Sequence, residues 1–352
     1  MRKFLLVLMF SLAALVVAAC SGGSSDTGST DSSGGSGDDA DTSSDEKIVI
    51  KFSHVTTADS VKGQAADKFK ELVEEKTDGK VEVEVYPSSQ LYGDNDELDA
   101  LVSGNVHMIA PSVTKMVKLD PRWQFVDMPY LFEDQAHVHR FFESELAQDL
   151  MQSDQLASND IMGLVFWENG FKHFMNNKHA LVEPSDYAGL KFRAQAGKVL
   201  ESQFQALDAG SATIAFGETY AALQQGTVDG TENTFNNIDT QNYQEVQSHM
   251  TVSEHGRLDY AIFVNKSFWE GMPDDVRGLV EEALEEATEL AWDLAAKDNA
   301  ASFENIKDSG NVEVTELTDD QKKAMEEAFQ PVYEEFTDVI TEELLDGIRD
   351  LR

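Results

Sequence analysis

The stretch Gly189-Leu-Lys-Phe-Arg193-Ala194 and, forty residues further on, Asp229-Gly-Thr-Glu-Asn233-Thr234 frame the part of the chain that decides its fold. Leu190 to Arg193 reads as a short strand, Val199, Leu200, Phe204 and Leu207 as one face of a helix, Thr219 to Gln225 as a second helix, and Thr227 to Gly230 as a strand. Strands alternating with helices imply a parallel sheet covered by helices. Arg193 stands out within that unit. After Cys20 the chain has seven arginines and a large excess of acids, for a formal net charge of −38 over 352 residues. A guanidinium inside a short apolar strand is therefore a candidate anchor for a ligand carboxylate, because its planar fork matches two carboxylate oxygens and never loses its charge. The alternation of Leu190 and Phe192 with Lys191 and Arg193 also fits two basic groups on the wet face of a half-buried strand.

Outward toward the N-terminus the same order recurs. Ile48 to Phe52 is β-rich; Val61, Ala65, Phe69, Leu72 and Val73 have helical spacing; Val81 to Val85 alternates; a helix is expected over Glu97 to Val102 and a buried strand over Val106 to Ala110. Ligands of such sheets lie beyond the C-terminal strand ends, where the loops holding His54 and Ser112 fall. Pro121 to Phe132 reads as a connector, 135–151 as one helix, and Ile161 to Trp167 as a buried strand. Glu168-Asn-Gly170 is the expected first crossing between domains, and Leu258 to Val264 the strand that returns. The boundaries predicted are 47–170 with 258–298 for lobe I, and 171–257 with 299–352 for lobe II. Arg193, Phe216 and Asn233 fall in one lobe and His54 and Ser112 in the other, and a ligand bridging two lobes would drive hinge closure. Pro273 opens a long helix with no glycine or proline from Leu279 to Ser309, able to exceed about 40 Å. Two amphipathic helices, roughly 318–329 and 331–349, close the chain.

Arg2-Lys3 followed by an apolar run to Ala19 reads as a signal peptide, too short to span a bilayer comfortably. Val17-Ala-Ala-Cys20 resembles a bacterial lipoprotein box, which implies lipidation of Cys20 and attachment to the membrane by that anchor alone. Residues 20–46, almost entirely Ser, Gly, Asp and Thr, form a disordered tether by composition. Arg2 and Lys3 contribute two positive charges and the acids of 21–46 seven negative ones, so residues 47–352 carry −33. That excludes nucleic acid as a partner, suits high-salt surroundings, and requires any anion-binding cleft to be locally positive.

Catalytic signatures are missing from the sequence. His137 and His139 are two apart on a helix and face different ways; no His-Glu-x-x-His, cysteine cluster, phosphate loop, dinucleotide fingerprint or nucleophile elbow occurs. Neither catalytic residues nor a metal or cofactor are expected, and the chain is read as a binder rather than an enzyme.

Phe166-Trp-Glu-Asn-Gly-Phe-Lys172-His, then the Arg193 strand, then Ala215-Phe216-Gly-Glu-Thr-Tyr through Asn233 closely resemble the DctP-type solute-binding subunits of TRAP transporters, from about Ile48 to about Asp350. The resemblance implies a two-lobed α/β fold of the periplasmic-binding-protein (Venus flytrap) class with the long C-terminal helix spanning both lobes. It also implies that Arg193 forms a salt bridge with a substrate carboxylate, that Asn233 hydrogen-bonds the same group, and that Phe216 lines the pocket. Lys172 departs from the pattern: many members have arginine there, and lysine cannot clamp an anion bidentately. Phe52-Ser-His54, Ile109-Ala-Pro-Ser112 and Gly170-Phe-Lys172 are most similar to binders of C4-dicarboxylates. An extracytoplasmic, monomeric lipoprotein delivering a small organic acid to TRAP membrane permease subunits is the expectation. A carboxylate-sensing co-receptor for a membrane kinase, a secreted lyase or isomerase and an ABC-type receptor are the alternatives.

Overall fold

A computed structural model describes residues 47–352; the leader, Cys20 and the tether lie outside the described residues. The strands are β1 (Ile48–Ser53), β2 (Val81–Tyr86), β3 (Met108–Ile109), β4 (Ile161–Asn176), β5 (Lys191–Ala194), β6 (Gly210–Thr213), β7 (Gly230–Asn233), β8 (His249–Asn265) and β9 (Glu313–Glu316). They form one sheet in the order β2-β1-β3-β8-β4-β7-β5-β6, with β9 added alongside β8. β1 runs parallel to β2 and β3, and β5 parallel to β6 and β7, so two parallel α/β halves sit at opposite ends of the sheet. The antiparallel pair β4 and β8 joins them.

That pair differs from the sequence expectation. Glu168-Asn-Gly170, which has the composition of a turn, is continuous strand: β4 runs through it for 16 residues, and β8 likewise runs for 17. The turn-like sequence instead appears as a shift in the β4–β8 register between Glu168 and Gly170, with others at Gly163/Val165 and Lys172/Phe174. Such an irregularity bends a strand without ending it. Gly170 has φ +142°, and a Cβ there would lie 3.0 Å from the Asn299 side-chain amide, so any other residue would be strained.

Apolar side chains explain the layers. One cluster packs Ile50, Phe52, Phe69, Val81 and Val83 against Val276, Val280, Ala283, Leu284, Ala287 and Ala291 of the long helix Asp274–Asp308. At the far end of that helix, Ile306 joins a separate cluster with Met175, Leu223, Val228, Ile238, Tyr243 and Met250. Thirty-five residues make the helix about 52 Å long, and its apolar face meets both halves of the sheet. Indole nitrogens fix its middle to β4: Trp167 Nε1 donates to Thr288 Oγ1 at 3.0 Å, and Trp292 Nε1 to the Phe166 carbonyl at 3.0 Å. The largest cluster includes the C-terminal helices; the helix Gln330–Ile340 lies against both Pro121–Asp127 and Lys198–Ala206.

Three smaller expectations are corrected. The helix expected over 135–151 is two, Gln135–Phe142 and Glu145–Met151, the second started by Ser144 accepting from the Ala147 amide. The last helix is broken at Thr341, whose φ of +88° no α-helix accommodates. The strand expected over Val106 to Ala110 pairs only through Met108 and Ile109.

Candidate functional site

Arg193 is on β5, between Ala212 of β6 and Thr231 of β7, and is 1% exposed. Its alternation with Phe192 places it against the sheet face opposite the Phe192–Phe204 stack, not in solvent. Nε donates to the Ile214 carbonyl at 2.9 Å, while Nη2 is buried with no hydrogen-bond partner among the described residues. Asn233, at the end of β7, is fully buried. Its Oδ1 accepts from the Thr234 amide at 3.0 Å and from Asn237 Nδ2 at 2.9 Å, so its orientation is fixed and its Nδ2 is left as a second buried donor without a partner among the described residues.

The other residues read from sequence gather around these two, with one exception. The Phe216 amide donates to Asp94 Oδ2 at 3.1 Å, and the same carboxylate holds Lys115 Nζ at 3.0 Å. Burial pushes the Asp94 carboxyl up, but Lys115, Arg193 and the Phe216 amide together hold it below its ordinary value. Ser112 donates to Gln195 Oε1 at 3.4 Å and bridges to Tyr260. Tyr260 Oη accepts from Asn237 Nδ2 at 3.2 Å, which links the β1–β3 end of the sheet to Asn233. His54 is buried, its Nδ1 3.3 Å from Thr56 Oγ1 and its Nε2 without a partner. Burial, aided by Lys62, lowers the imidazole to about 3, so it is neutral at neutral pH.

Lys172 is the exception. Its ammonium donates to Glu232 Oε1 at 2.8 Å and lies 3.6 Å from Asp127 Oδ1. Glu232 alternates with Asn233 along β7, so this pair belongs to the other face of that strand, where His255 Nε2 also meets Glu232 at 2.7 Å. Despite burial, Lys172 and His255 bring Glu232 down to about 2, whereas burial raises Asp127 to about 7.

Comparing buried cations separates scaffold from site. Among the described residues Lys62, Lys115, Lys172, Arg193 and Arg257 are buried. Arg257 grips Asp259 through Nε (3.1 Å) and Nη2 (2.7 Å) and Glu168 through Nη2 (2.9 Å), and Lys115 and Lys172 have carboxylates as well. Arg193 and Lys62 have no carboxylate within 4 Å among the described residues. Leaving a buried charge unpaired costs several kcal/mol, so a fold that tolerates it has placed the charge for something else.

Sequence reading missed Lys62, Asp94, Glu97 and Tyr260. Lys62 Nζ donates to the Ala110 carbonyl at 2.8 Å and lies 3.8 Å from the centre of the Tyr260 ring. Glu97 is buried with both carboxyl oxygens unpartnered among the described residues. Burial raises Glu97 to about 8 and lowers Lys62 to about 8, each against the pull of the other's charge. Lys62, Lys115 and Arg193 face two carboxyl groups, Asp94 and Glu97, so positive groups outnumber negative ones whichever form Glu97 takes. The cleft is locally positive in a strongly negative molecule.

A separate cavity of about 140 Å³ opens where β4 is irregular, lined by Gln135, Glu168, Phe171, His173, Arg257 and Asn299. It includes none of the six candidate ligand residues. His139 Nε2 meets Glu168 there at 2.7 Å, whereas His137 Nε2 contacts the Ile348 carbonyl, so the two histidines diverge as expected. Among the described residues no group of three or more His, Cys, Asp or Glu is placed to hold a metal, and no helix is long and apolar enough to cross a membrane.

A sheet with two parallel halves, a helix reaching both, and unpaired donors buried between them define a two-lobed solute-binding protein. The chain belongs to the DctP family, bacterial extracellular solute-binding protein family 7, whose model matches residues 52–338. It is 45% identical over 305 residues to the C4-dicarboxylate-binding periplasmic protein DctP of Rhodobacter capsulatus, covering 86% of this chain and 91% of that one. It is 36% identical to the C4-dicarboxylate-binding protein DctB of Bacillus subtilis, covering 87% of each. Among solved structures it is similar to a TRAP periplasmic solute-binding protein of Shewanella oneidensis with bound succinate (TM-score 0.84, 38% identity, 87% of this chain and 99% of that chain). A second such protein, from Pseudomonas aeruginosa with bound L-malate, matches at TM-score 0.79 and 36% identity, over 82% of this chain and 99% of that chain.

Proposed function

We propose that this protein captures a C4-dicarboxylate outside the cytoplasm and delivers it to the membrane subunits of a TRAP transporter. Arg193 and Asn233 grip one carboxylate, Phe216 walls the pocket, and Ser112 and His54 close it from the other lobe. The lobes are 47–170 with 258–298 and 171–257 with 299–352, hinged where β4 and β8 lose register. Lys172 serves the scaffold by neutralising Glu232 and Asp127. Cys20 carries the lipid that keeps a monomeric binding domain at the membrane, with residues 20–46 as its tether.

The observation that carries this reading is the buried pair of unpartnered donors, Arg193 Nη2 and Asn233 Nδ2, in a cluster of net positive charge. The similarity to proteins named for C4-dicarboxylates, and to structures holding succinate and malate, supports the choice of acid. A thermal-shift screen over succinate, malate, fumarate, acetate, pyruvate and galactonate tests it. At a hundredfold excess over its dissociation constant a ligand adds about 2.7 kcal/mol of stability, and the C4-dicarboxylates are expected to do so at the lowest concentrations. Stabilisation by galactonate alone would overturn the choice of acid, and no stabilisation by any of them would overturn carboxylate capture.

A further inference from the structure

We propose that Lys62 is a second carboxylate anchor, so that the site grips a diacid at both ends: Arg193 with Asn233 at one pole, Lys62 with His54 at the other. This rests on the carboxylate-capture reading and adds the residue that tells a diacid from a monoacid.

Four observations carry it. Lys62 is one of the two buried cations that lack a carboxylate within 4 Å among the described residues, and the other is Arg193. Of its three N–H donors one is used on the Ala110 carbonyl and the Tyr260 ring faces another side of the ammonium, which leaves donor capacity with no oxygen partner among the described residues. His54 Nε2 and Ser53 Oγ, on the strand end beside it, are buried without partners, so unsatisfied polar atoms collect here as they do at Arg193. Finally, the two poles belong to one cluster: Asp94 lies within the field of both Arg193 and Lys62, and Tyr260, under the Lys62 ammonium, reaches Asn233 through Asn237.

The surroundings keep that pole cationic. The titratable groups that face Lys62 are Glu97, Asp94 and His54, and Lys115 stands beside Glu97. Asp94 is taken up by Lys115 and the Phe216 amide, and Glu97, whose buried carboxyl favours the neutral form, makes no ion pair with Lys62 within 4 Å among the described residues. A dianion brings one negative charge to each uncompensated cation. A monoacid leaves Lys62 buried and unpaired, which is a penalty specific to the wrong ligand.

The experiment is a calorimetric titration with succinate and with its half-amide, succinamate, which has the same length and one carboxylate fewer. The wild-type protein is expected to prefer succinate strongly. Lys62→Met is expected to weaken succinate roughly thirty- to several-thousand-fold, the loss typical of removing one partner of a desolvated charge pair. Succinamate affinity should change only a few-fold, so the preference collapses. Lys62→Gln retains a donor for the Ala110 carbonyl and gives the same readout should Lys62→Met fail to fold. A variant that keeps the wild-type ratio of the two affinities overturns the assignment of Lys62. Wild-type protein that binds both ligands equally overturns the two-pole site while leaving carboxylate capture intact; binding of neither overturns the proposed function itself.

Discussion

Replacing Arg193 with methionine separates a ligand anchor from a strand residue, because the two roles move stability in opposite directions. The guanidinium is buried, with Nη2 unpartnered among the described residues and Nε donating to the Ile214 carbonyl. Removing an uncompensated buried charge returns about 3–5 kcal/mol. Leaving the Ile214 carbonyl without its donor costs about 1–3 kcal/mol. The net expectation for Arg193→Met is an unfolding free energy unchanged or raised by up to about 4 kcal/mol, while the stabilisation by succinate disappears. At about 1.5 °C per kcal/mol for a folded region of this size, differential scanning calorimetry with and without succinate resolves both effects. A melting temperature several degrees lower than wild type, with the succinate shift preserved, would show that Arg193 holds the strand and not the ligand.

Three further outcomes follow from the same geometry. Lys172→Met strands Glu232 and Asp127 in the interior and should cost about 3–5 kcal/mol by denaturant titration; a loss under about 1 kcal/mol would count against a scaffold role. Glu97 binds its proton more tightly folded than unfolded, so its contribution is complete below about pH 4.5 and is lost as pH rises through about 8. Glu97→Gln should therefore gain stability over wild type progressively between pH 4.5 and 8, and a difference independent of pH in that window would refute the buried neutral acid. Gly170→Ala must put a Cβ 3.0 Å from Asn299 at φ +142°, so it is expected to cost about 1–3 kcal/mol and to shift the hinge; an unchanged melting temperature would mean that β4 relaxes freely there.

The parts legible from sequence were those where one residue's chemistry is unusual in its setting. Arg193 was recognisable because a guanidinium interrupts an apolar strand, and Phe216 and Asn233 because they stand in a stretch with a familiar pattern. What stayed hidden depends on contacts made far along the chain. Lys62 reads as a solvent-facing residue at a helix start; only the approach of Ala110 and Tyr260 buries it. Asp94 and Glu97 look like part of an acidic surface turn until Lys115 and the Phe216 amide close over the first and the core over the second. The pairing of Lys172 with Glu232 and Asp127 is hidden as well, because position does not show which face of a strand a side chain takes once a register shift intervenes. The same shift hid the continuity of β4, since Glu168-Asn-Gly170 has the composition of a turn and the backbone of a bulge.

The central claim is that an anionic protein keeps buried, unsatisfied donors for another molecule's acid group. A crystal structure of the protein grown with succinate tests it most directly. The account requires a succinate carboxylate within about 3 Å of both Arg193 Nη2 and Asn233 Nδ2, enclosed between the two halves of the sheet. Succinate bound elsewhere, with both of these donors still unpartnered, would contradict it.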